Sequence, residues 1–356
     1  MSTEKYHLQY APEEERLMLM EVNDELLREI ESCSDRSAIL LKPDKNGSTS
    51  VLCTRSKTYA IRQVVQSNSL LLFEKEKTQN TMDLKTRCDI YLELDRIHGT
   101  VNLEELLPLW SLDDMNKNLH GIAMKELKVM IPLSIGEIDQ ILLDECVLFK
   151  NGECWRLTPA VICEYIQWIC AIYVSLNGQK GLEAEGNWNQ LEETAKQDDL
   201  DRDILQSVLH GISTTKVPLE NQLTCVKLDK QRIAYWFGRK LLLDIVTASP
   251  EQFVEQWKQL VPPDVVEEID LDVLKDLFFI SRNGQVQYLS VHHLPTDVSR
   301  RFQSLFQLKQ KWKYEEIVPF VRDLAFNMEK VEALILKYGR KQTIKGELFI
   351  NERSSW

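Results

Sequence analysis

The stretch that decides the fold comprises residues 295–350, PTDVSRRFQSLFQLKQKWKYEEIVPFVRDLAFNMEKVEALILKYGRKQTIKGELFI. Its apolar residues recur at spacings of three, four and seven, as on one face of a helix. The spacing predicts three short helices, over residues 297–308, from residue 314 and over residues 329–338. Pro319 lies early in the second helix, where its missing N–H group costs little. After Gly339, a basic loop over residues 340–345 precedes an alternating, half-buried strand over residues 347–350.

Three helices followed by a strand and a basic loop are typical of a winged helix, a member of the helix-turn-helix class whose third helix usually faces the ligand. Charge sets this end apart. Residues 297–356 contain 12 Lys and Arg against 8 Asp and Glu, a net charge of +4. The whole chain carries −12, so residues 1–296 carry −16. A basic end on an acidic chain is an electrostatic footprint for phosphate or for an acidic partner.

Ten basic side chains of this end are predicted to bind DNA by phosphate contacts, which give salt-dependent, sequence-independent affinity. They are Arg300, Arg301, Lys309, Lys311, Lys313, Lys330, Lys337, Arg340, Lys341 and Lys345. The alternative is an ordinary solvated basic face. Trp312, between two lysines, either stacks on a base or packs in a helix junction.

Length and composition describe a globular chain. At 356 residues with 44% hydrophobic content it can hold two or three packed domains. The eight cysteines form no CxxC pair and have no His at ligand spacing, so we expect reduced core residues of an intracellular protein. Residues 1–15 show no secretory signal. The apolar segment 161–176 contains Glu164 and Gln167 and is predicted to be a buried core helix.

Residues 1–97 are predicted to be mostly strand, with a short helix capped by Asn23. Strands are expected over residues 57–65 and 69–73, before a charged loop over residues 74–85. A hairpin turn is expected at residues 43–47, PDKNG, because Asn-Gly accepts a positive φ. The second strand is apolar on both faces and needs cover on both. Either a partner chain or the Asn23 helix supplies it.

From residue 103 onward helices alternate with short hairpins, two of which have Asn-Gly turns at residues 151–152 and 283–284. Helices are predicted, among others, over residues 103–110, 122–130 and 271–277. The repeated order of helices and hairpin predicts an α+β protein in which a β-rich domain over residues 1–97 precedes a tandem array of winged helices. The expected units are 98–158, 159–248 and 249–356, the last being either one unit or two, 249–294 and 295–356.

No catalytic constellation is visible, so we expect a protein that is not an enzyme and has no cofactor. The chain lacks the Gly-x-x-x-x-Gly-Lys-Ser/Thr phosphate loop. His292 and His293 are adjacent and are not expected to share a metal, because neighbouring residues on a strand face opposite sides.

Two patches resemble a known family. One runs from Arg301 to Trp312, with the segment 315–320 and Leu336-Lys337-Tyr338 after it. The other combines Lys57-Thr58-Tyr59 with residues 67–73, SNSLLLF. Both are similar to the family called defective in sister chromatid cohesion, whose members are subunits of the alternative replication factor C clamp loader.

The resemblance implies a nuclear, non-ATPase accessory subunit that acts in sliding-clamp loading, DNA replication and cohesion. In the family, the N-terminal strands build a composite, barrel-like β domain with the large ATPase subunit and a small accessory subunit. The module is associated with DNA, single- or double-stranded, and with the leading-strand polymerase, and it serves the sliding clamp indirectly. The apolar segment 161–176 is too short for a membrane span, so no membrane contact is expected. The side chains expected to meet the partner subunits are Tyr59, Ile61, Leu70, Leu71, Leu72 and Phe73.

Two functions stay open at this point. The first is an accessory subunit that joins partners through its N-terminal sheet and DNA or polymerase through its winged helices. The second is a winged-helix scaffold that makes only protein–protein contacts in another multi-subunit assembly. In that case the basic end meets an acidic partner.

Overall fold

The structure is a computed structural model that describes residues 7–10, 17–32, 39–43, 50–75, 81–97, 99, 101–110, 120–245, 247–325 and 328–353. Two compact units make up the chain. The first comprises Met1–Ile97 and Pro132–Ser134, and the second comprises His98–Ile131 and Ile135–Trp356. Strands dominate the first unit and helices the second, so the predicted α+β class with a β-rich N-terminus is confirmed.

The first unit is built on a six-stranded sheet with one helix. Its elements are β1 (His7–Tyr10), β2 (Leu19–Glu21), α1 (Asp24–Ser32), β3 (Leu40–Pro43), β4 (Ser50–Cys53), β5 (Thr58–Lys75) and β6 (Thr81–Ile97). The strand order is β1-β6-β5-β4-β3, and β2 also pairs with β6. Among the described residues these strands do not close into a barrel.

The β5–β6 hairpin is longer than the sequence indicates. The two strands predicted over residues 57–65 and 69–73 are one strand, whose register against β6 shifts between Val65 and Leu70. The predicted loop over residues 74–85 is wrong at both ends, because Glu74 and Lys75 still pair with β6, which begins at Thr81, and residues 76–80 lie outside the described residues. Pairing satisfies the backbone groups of these charged residues, whatever their side-chain polarity. The turn predicted at residues 43–47 lies outside the described residues except for Pro43, in β3.

Helix α1 covers only one end of this sheet. The Asn23 Oδ1 atom accepts a hydrogen bond from the Leu26 backbone N–H group at 2.8 Å, which is the predicted cap. The buried Leu26 then packs with Leu52 and Tyr59 in a small cluster.

The first part of the second unit contains helices, the three-stranded sheet β7-β9-β8 and the two-stranded sheet β10-β11. Its first elements are α2 (Leu103–Leu106), β7 (Ile122–Ala123), α3 (Met124–Met130), α4 (Ile135–Asp144), β8 (Leu148–Lys150), β9 (Glu153–Trp155), α5 (Pro159–Asn177), β10 (Glu185–Asn187), α6 (Trp188–Gln197), α7 (Arg202–Ile212), β11 (Cys225–Lys227) and α8 (Lys230–Asp244). The helix predicted over residues 103–110 is wrong beyond Leu106, because Pro108 disfavours helical backbone in the residue before it.

Helix α5 is the centre of the larger core. By length and composition Pro159–Glu183 is the described segment that could cross a membrane. In the structure seven α5 side chains, among them Ile162, Ile166 and Ile169, are buried, and the helix packs against α7 and α8. This packing is that of a core helix.

The remaining elements follow the same order of helices and short strands. They are α9 (Pro250–Leu260), β12 (Phe278–Ile280), β13 (Val286–Tyr288), α10 (Val298–Leu308), β14 (Lys311–Lys313), α11 (Tyr314–Ile317), α12 (Met328–Tyr338), β15 (Gly339–Ile344) and β16 (Glu347–Glu352). The helix predicted over residues 271–277 is only a 3-10 turn at Leu271–Leu274.

The C-terminal part differs from its prediction around Pro319 and in the basic loop, and strand β14 is not predicted. Helix α11 ends at Ile317 and continues as a 3-10 turn at Val318–Phe320, because Pro319 lacks the N–H group that the next α-helical hydrogen bond needs. The predicted basic loop over residues 340–345 is mostly strand β15, which pairs with β16 in the sheet order β14-β16-β15.

Among the described cysteines six are buried and Cys225 is exposed.

Candidate partner and nucleic-acid surfaces

The long strand β5 has an open edge over most of its length. Strand β4 pairs with β5 only at Thr58–Ala60, whereas β6 pairs with it as far as Lys75. Within the described residues, no strand pairs with the other edge of β5 beyond Ala60. The backbone N–H and C=O groups of such an edge are available to a strand of another chain.

The same part of β5 carries apolar side chains on both faces. Leu70, Leu71 and Leu72 are exposed and Phe73 is half-buried. Neighbouring residues of a strand point to opposite faces, so neither face here is covered. Helix α1 does not supply the cover, because its buried contact is with Leu52 and Tyr59 at the other end of the sheet.

Two of the residues predicted to meet a partner, Tyr59 and Ile61, are less exposed than Leu70, Leu71 and Leu72. Tyr59 is 1% exposed and packs against Leu26, so the prediction that its side chain meets a partner is wrong. Burial also raises the pKa of Tyr59. Ile61 is half-buried beside the same cluster. Val65 and Leu41 are also exposed, at 74% and 66%, and were not predicted to meet a partner. The only sign of them in the sequence is an apolar side chain in a strand, short for Leu41 and open at one edge for Val65.

The basic C-terminal end divides into paired and unpaired cations. Arg301 is 1% exposed and forms an ion pair with Asp323, so the prediction that it contacts DNA is wrong. Lys309 pairs with Glu316, and Lys313 pairs with Glu347 at 2.9 Å, which raises the pKa of Lys313. A count of basic residues in the sequence treats these positive charges as available for phosphate, but the ion pairs neutralise them.

Most of the unpaired cations lie on β14, on β15 or in the turn after β15. Of the ten predicted residues, six form no ion pair with any described residue: Arg300, Lys311, Lys337, Arg340, Lys341 and Lys345. Lys345 is the first residue of the two-residue turn, with φ 51°, and Gly346 follows with φ 87°. Two positive φ angles are typical of the type I′ turn, which places Lys345 at the tip of the hairpin. Arg353, which the prediction omitted, lies just after β16 and is also exposed.

The C-terminal sheet has one buried and one open face. Trp312 and Ile350 pair across β14 and β16 and are fully buried, so Trp312 packs in the core and does not stack on a base. Its Nε1 atom donates to the Leu305 carbonyl at 3.0 Å. The alternate residues form the opposite face, here called the outer sheet face: Lys311, Lys313, Arg340, Gln342, Ile344, Glu347, Phe349 and Asn351.

Helix α12 carries a balanced charge. Glu329, Lys330, Glu332 and Lys337 are all exposed on it. Lys330 therefore stands beside two carboxylates, and the helix as a whole has no excess of cations for phosphate. The surplus positive charge of this end lies on the hairpin and on the outer sheet face.

A family model described as sister chromatid cohesion protein Dcc1 matches residues 17–321. The chain belongs to the Dcc1 family. The resemblance that the two sequence patches indicated is thereby confirmed. The matched range includes the whole of β5 and β6 and stops before α12 and the C-terminal hairpin.

Relatives named sister chromatid cohesion protein DCC1 extend the Dcc1 match. The one from Saccharomyces cerevisiae is 25% identical over 388 residues, covering 98% of this chain and 99% of its own. The one from Xenopus laevis is 25% identical over 381 residues, covering 94% and 88%. The human one is 35% identical over 130 residues, which are 36% of this chain and 33% of the human one.

Proposed function

We propose that this chain is a non-catalytic accessory subunit of an alternative clamp loader that acts in the nucleus, in DNA replication and sister chromatid cohesion. Membership of the Dcc1 family supports the role in cohesion, since the matching relatives are named for it. The clamp-loader role rests on the family resemblance of the two sequence patches.

The observation that carries the proposal is the open edge of β5. A chain that joins a large ATPase subunit and a small accessory subunit through shared strands needs an unpaired edge with apolar side chains on both faces. Strand β5 has both, at Val65 and at Leu70–Leu72. The small cluster around Leu26 is too limited to stabilise a six-stranded sheet on its own, which also favours cover from partner chains.

The second unit is proposed to be an array of winged helices. Its support is the repeated order of helices followed by a small antiparallel sheet, at β7-β9-β8, β12-β13 and β14-β16-β15. The array contacts DNA through the cations of the C-terminal hairpin and the leading-strand polymerase through another surface, and it serves the sliding clamp only indirectly. Among these small sheets, the last one, β14-β16-β15, has cations without an ion pair at Lys311 and Arg340, and Lys345 lies in its turn.

Co-purification tests the role of the sheet. The full chain is co-expressed with the large and small partner subunits, and single variants Val65→Asp and Leu71→Asp are compared with Val129→Asp. Val129 is a matched control because it is 70% exposed on α3, in the second unit. Loss of both partners from the two β5 variants and retention by the control supports the proposal. Equal retention by all three variants contradicts it.

A salt series tests the DNA contact. Binding of the full chain to duplex and single-stranded DNA is measured from low to high salt, beside a variant with Arg340, Lys341 and Lys345 changed to Glu. Steep weakening with salt and loss in the variant supports phosphate contacts. Absence of binding at low salt contradicts the DNA part and leaves the partner part standing.

The second candidate function is a scaffold that contacts only proteins. One observation favours it: helix α12 exposes Leu336 and Met328 and has no surplus of cations. Such a surface suits an apolar protein contact better than a phosphate backbone. The same two experiments separate the candidates, because this function predicts no DNA binding, and capture of the clamp-loader subunits is expected only of the first candidate.

A further inference from the structure

The aromatic side chain on the outer sheet face is Phe349. The sequence draws attention to Trp312, but that indole is in the core, and the register places Phe349 between Lys313 on β14 and Gln342 on β15. Phe349 is half-buried on this face.

Cations surround this ring on the same face. The Lys311 Nζ atom lies 4.6 Å from the Phe349 ring centroid. Arg340 faces Asn351 in register, next to Phe349 along the sheet, and forms no ion pair with a described residue. Glu347 is the acidic group of this face and is engaged with Lys313. The face therefore keeps a positive charge next to an aromatic surface.

We propose that the outer sheet face is a stacking platform for single-stranded nucleic acid, with Phe349 against a base and Lys311 and Arg340 against the phosphates. This inference rests on the proposed DNA contact and names its ligand and its central residue. An aromatic ring flanked by basic side chains on a flat sheet suits unpaired bases, which expose their π faces. Bases in a duplex are stacked on one another and cannot reach the ring.

The geometry also explains how a strand would displace the resting contact. Lys311 lies over the ring through a cation–π contact, which is a weak interaction at an exposed site. A phosphate attracts the ammonium group more strongly and a base takes its place over Phe349. The two lysines of β14 face the same side, with Trp312 between them on the opposite side.

The test uses the full chain with a fluorescent 20-nucleotide oligo-dT strand and a 20-base-pair duplex. Phe349→Leu keeps an apolar side chain without a π system, Phe349→Trp keeps the stacking, and Lys258→Gln is a control at an exposed lysine on α9. We expect Phe349→Leu to weaken single-strand binding by roughly ten-fold, the usual loss when one stacked base loses its aromatic partner. Duplex binding stays unchanged, and Phe349→Trp and Lys258→Gln bind the strand as the unchanged protein does.

Each of the other outcomes contradicts a specific part of the proposal. If Phe349→Leu binds the strand as tightly as the unchanged chain, while the Arg340, Lys341 and Lys345 charge reversal abolishes binding, the stacking platform is wrong and the DNA contact survives. If the unchanged chain binds neither strand nor duplex, the DNA contact itself is wrong. If Phe349→Trp loses binding together with Phe349→Leu, the residue acts through packing and the platform is again overturned. Thermal unfolding of each variant identifies any that fails to fold, and Phe349→Trp then decides the question.

Discussion

The Asp323 carboxylate accepts two hydrogen bonds from the Arg301 guanidinium, at 3.0 and 3.2 Å, and the side chains are 10% and 2% exposed. Arg301 also donates to the Phe320 carbonyl at 2.9 Å. The pair thus joins α10 to the turn that follows Pro319.

Removal of this arginine destabilises the C-terminal module. Arg301→Ala leaves Asp323 buried without a counter-charge, which costs about 3 kcal/mol by analogy with other broken buried pairs. Arg301→Lys keeps the charge and loses the two-pronged geometry, so its cost is smaller. Amide hydrogen exchange in α10 and β16 measures the local loss. Arg300→Ala is the control, since that side chain is exposed; equal protection in both alanine variants would contradict the prediction.

His210 makes folding stability depend on pH. It is fully buried in α7, and burial lowers its pKa to about 4, although backbone groups at Asn221 and Val217 oppose part of the shift. The unfolded chain has the ordinary value near 6.5, so below that pH it binds a proton that the folded chain does not. Stability is therefore complete above about pH 6.5 and falls as the pH approaches 4, by up to roughly 2 kcal/mol at pH 5.

A variant without the His210 imidazole checks the direction of this pH dependence. Calorimetry at pH 7.5 and pH 5 compares the unchanged chain with His210→Leu, and the drop in melting temperature on acidification should be smaller in the variant. Comparing the drop within each protein removes the effect of leucine on packing at neutral pH. An equal drop in both proteins would show that other groups cause it.

Gly238 is required by a close approach in the core. A Cβ atom there would lie 2.5 Å from the Leu274 Cδ1 atom and 2.7 Å from the Trp257 ring. Gly238→Ala gains about 1 kcal/mol of helix propensity in α8 but pays about 1–3 kcal/mol for overpacking, so we expect a net loss. Urea unfolding measures it, and the loss should shrink in a Leu274→Ala background, where one of the two contacts is removed. A gain in stability from Gly238→Ala alone would refute the close approach.

Lys345 offers a way to remove charge without damage to the hairpin. Its φ of 51° suits asparagine better than lysine, and Asn-Gly is the preferred pair in this turn. Lys345→Asn should leave the melting temperature unchanged or slightly higher. If Lys345 contacts a phosphate, the slope of log affinity for duplex DNA against log salt should fall by about 0.9. An unchanged slope would remove Lys345 from the contact surface.

Local signals in the sequence predict much of this fold. The Asn23 cap, the apolar spacing of α10 and α12 and the stop at Gly339 depend on neighbouring residues, and the structure has each of them. The alternation over residues 347–350 also predicts which side chains of β16 face inward. The features that were not predicted depend on residues far away in the sequence. Strand β14 forms because Trp312 packs in the core and pairs with Ile350, 38 positions later in the numbering.

The candidate surfaces were predictable only in outline. The charge count locates a basic end, but Asp323, Glu316 and Glu347 decide which of its cations remain available. Arg301 looks like its exposed neighbour Arg300 because both are arginines on one helix. Tyr59 and Leu71 lie on the same strand, but Tyr59 packs against Leu26 of α1 and Leu52 of β4, whereas Leu71 is exposed.

The open edge of β5 also bears on how much of this protein a cell can tolerate. A long strand with unpaired backbone groups and leucines on both faces pairs readily with copies of itself, which is the usual start of edge-to-edge aggregation. Chains made in excess of the strands that cover them would therefore self-associate or be degraded as orphans. If partner subunits cover this edge, as proposed, their supply limits the steady-state abundance of the protein, and overproduction of this chain alone should yield insoluble material.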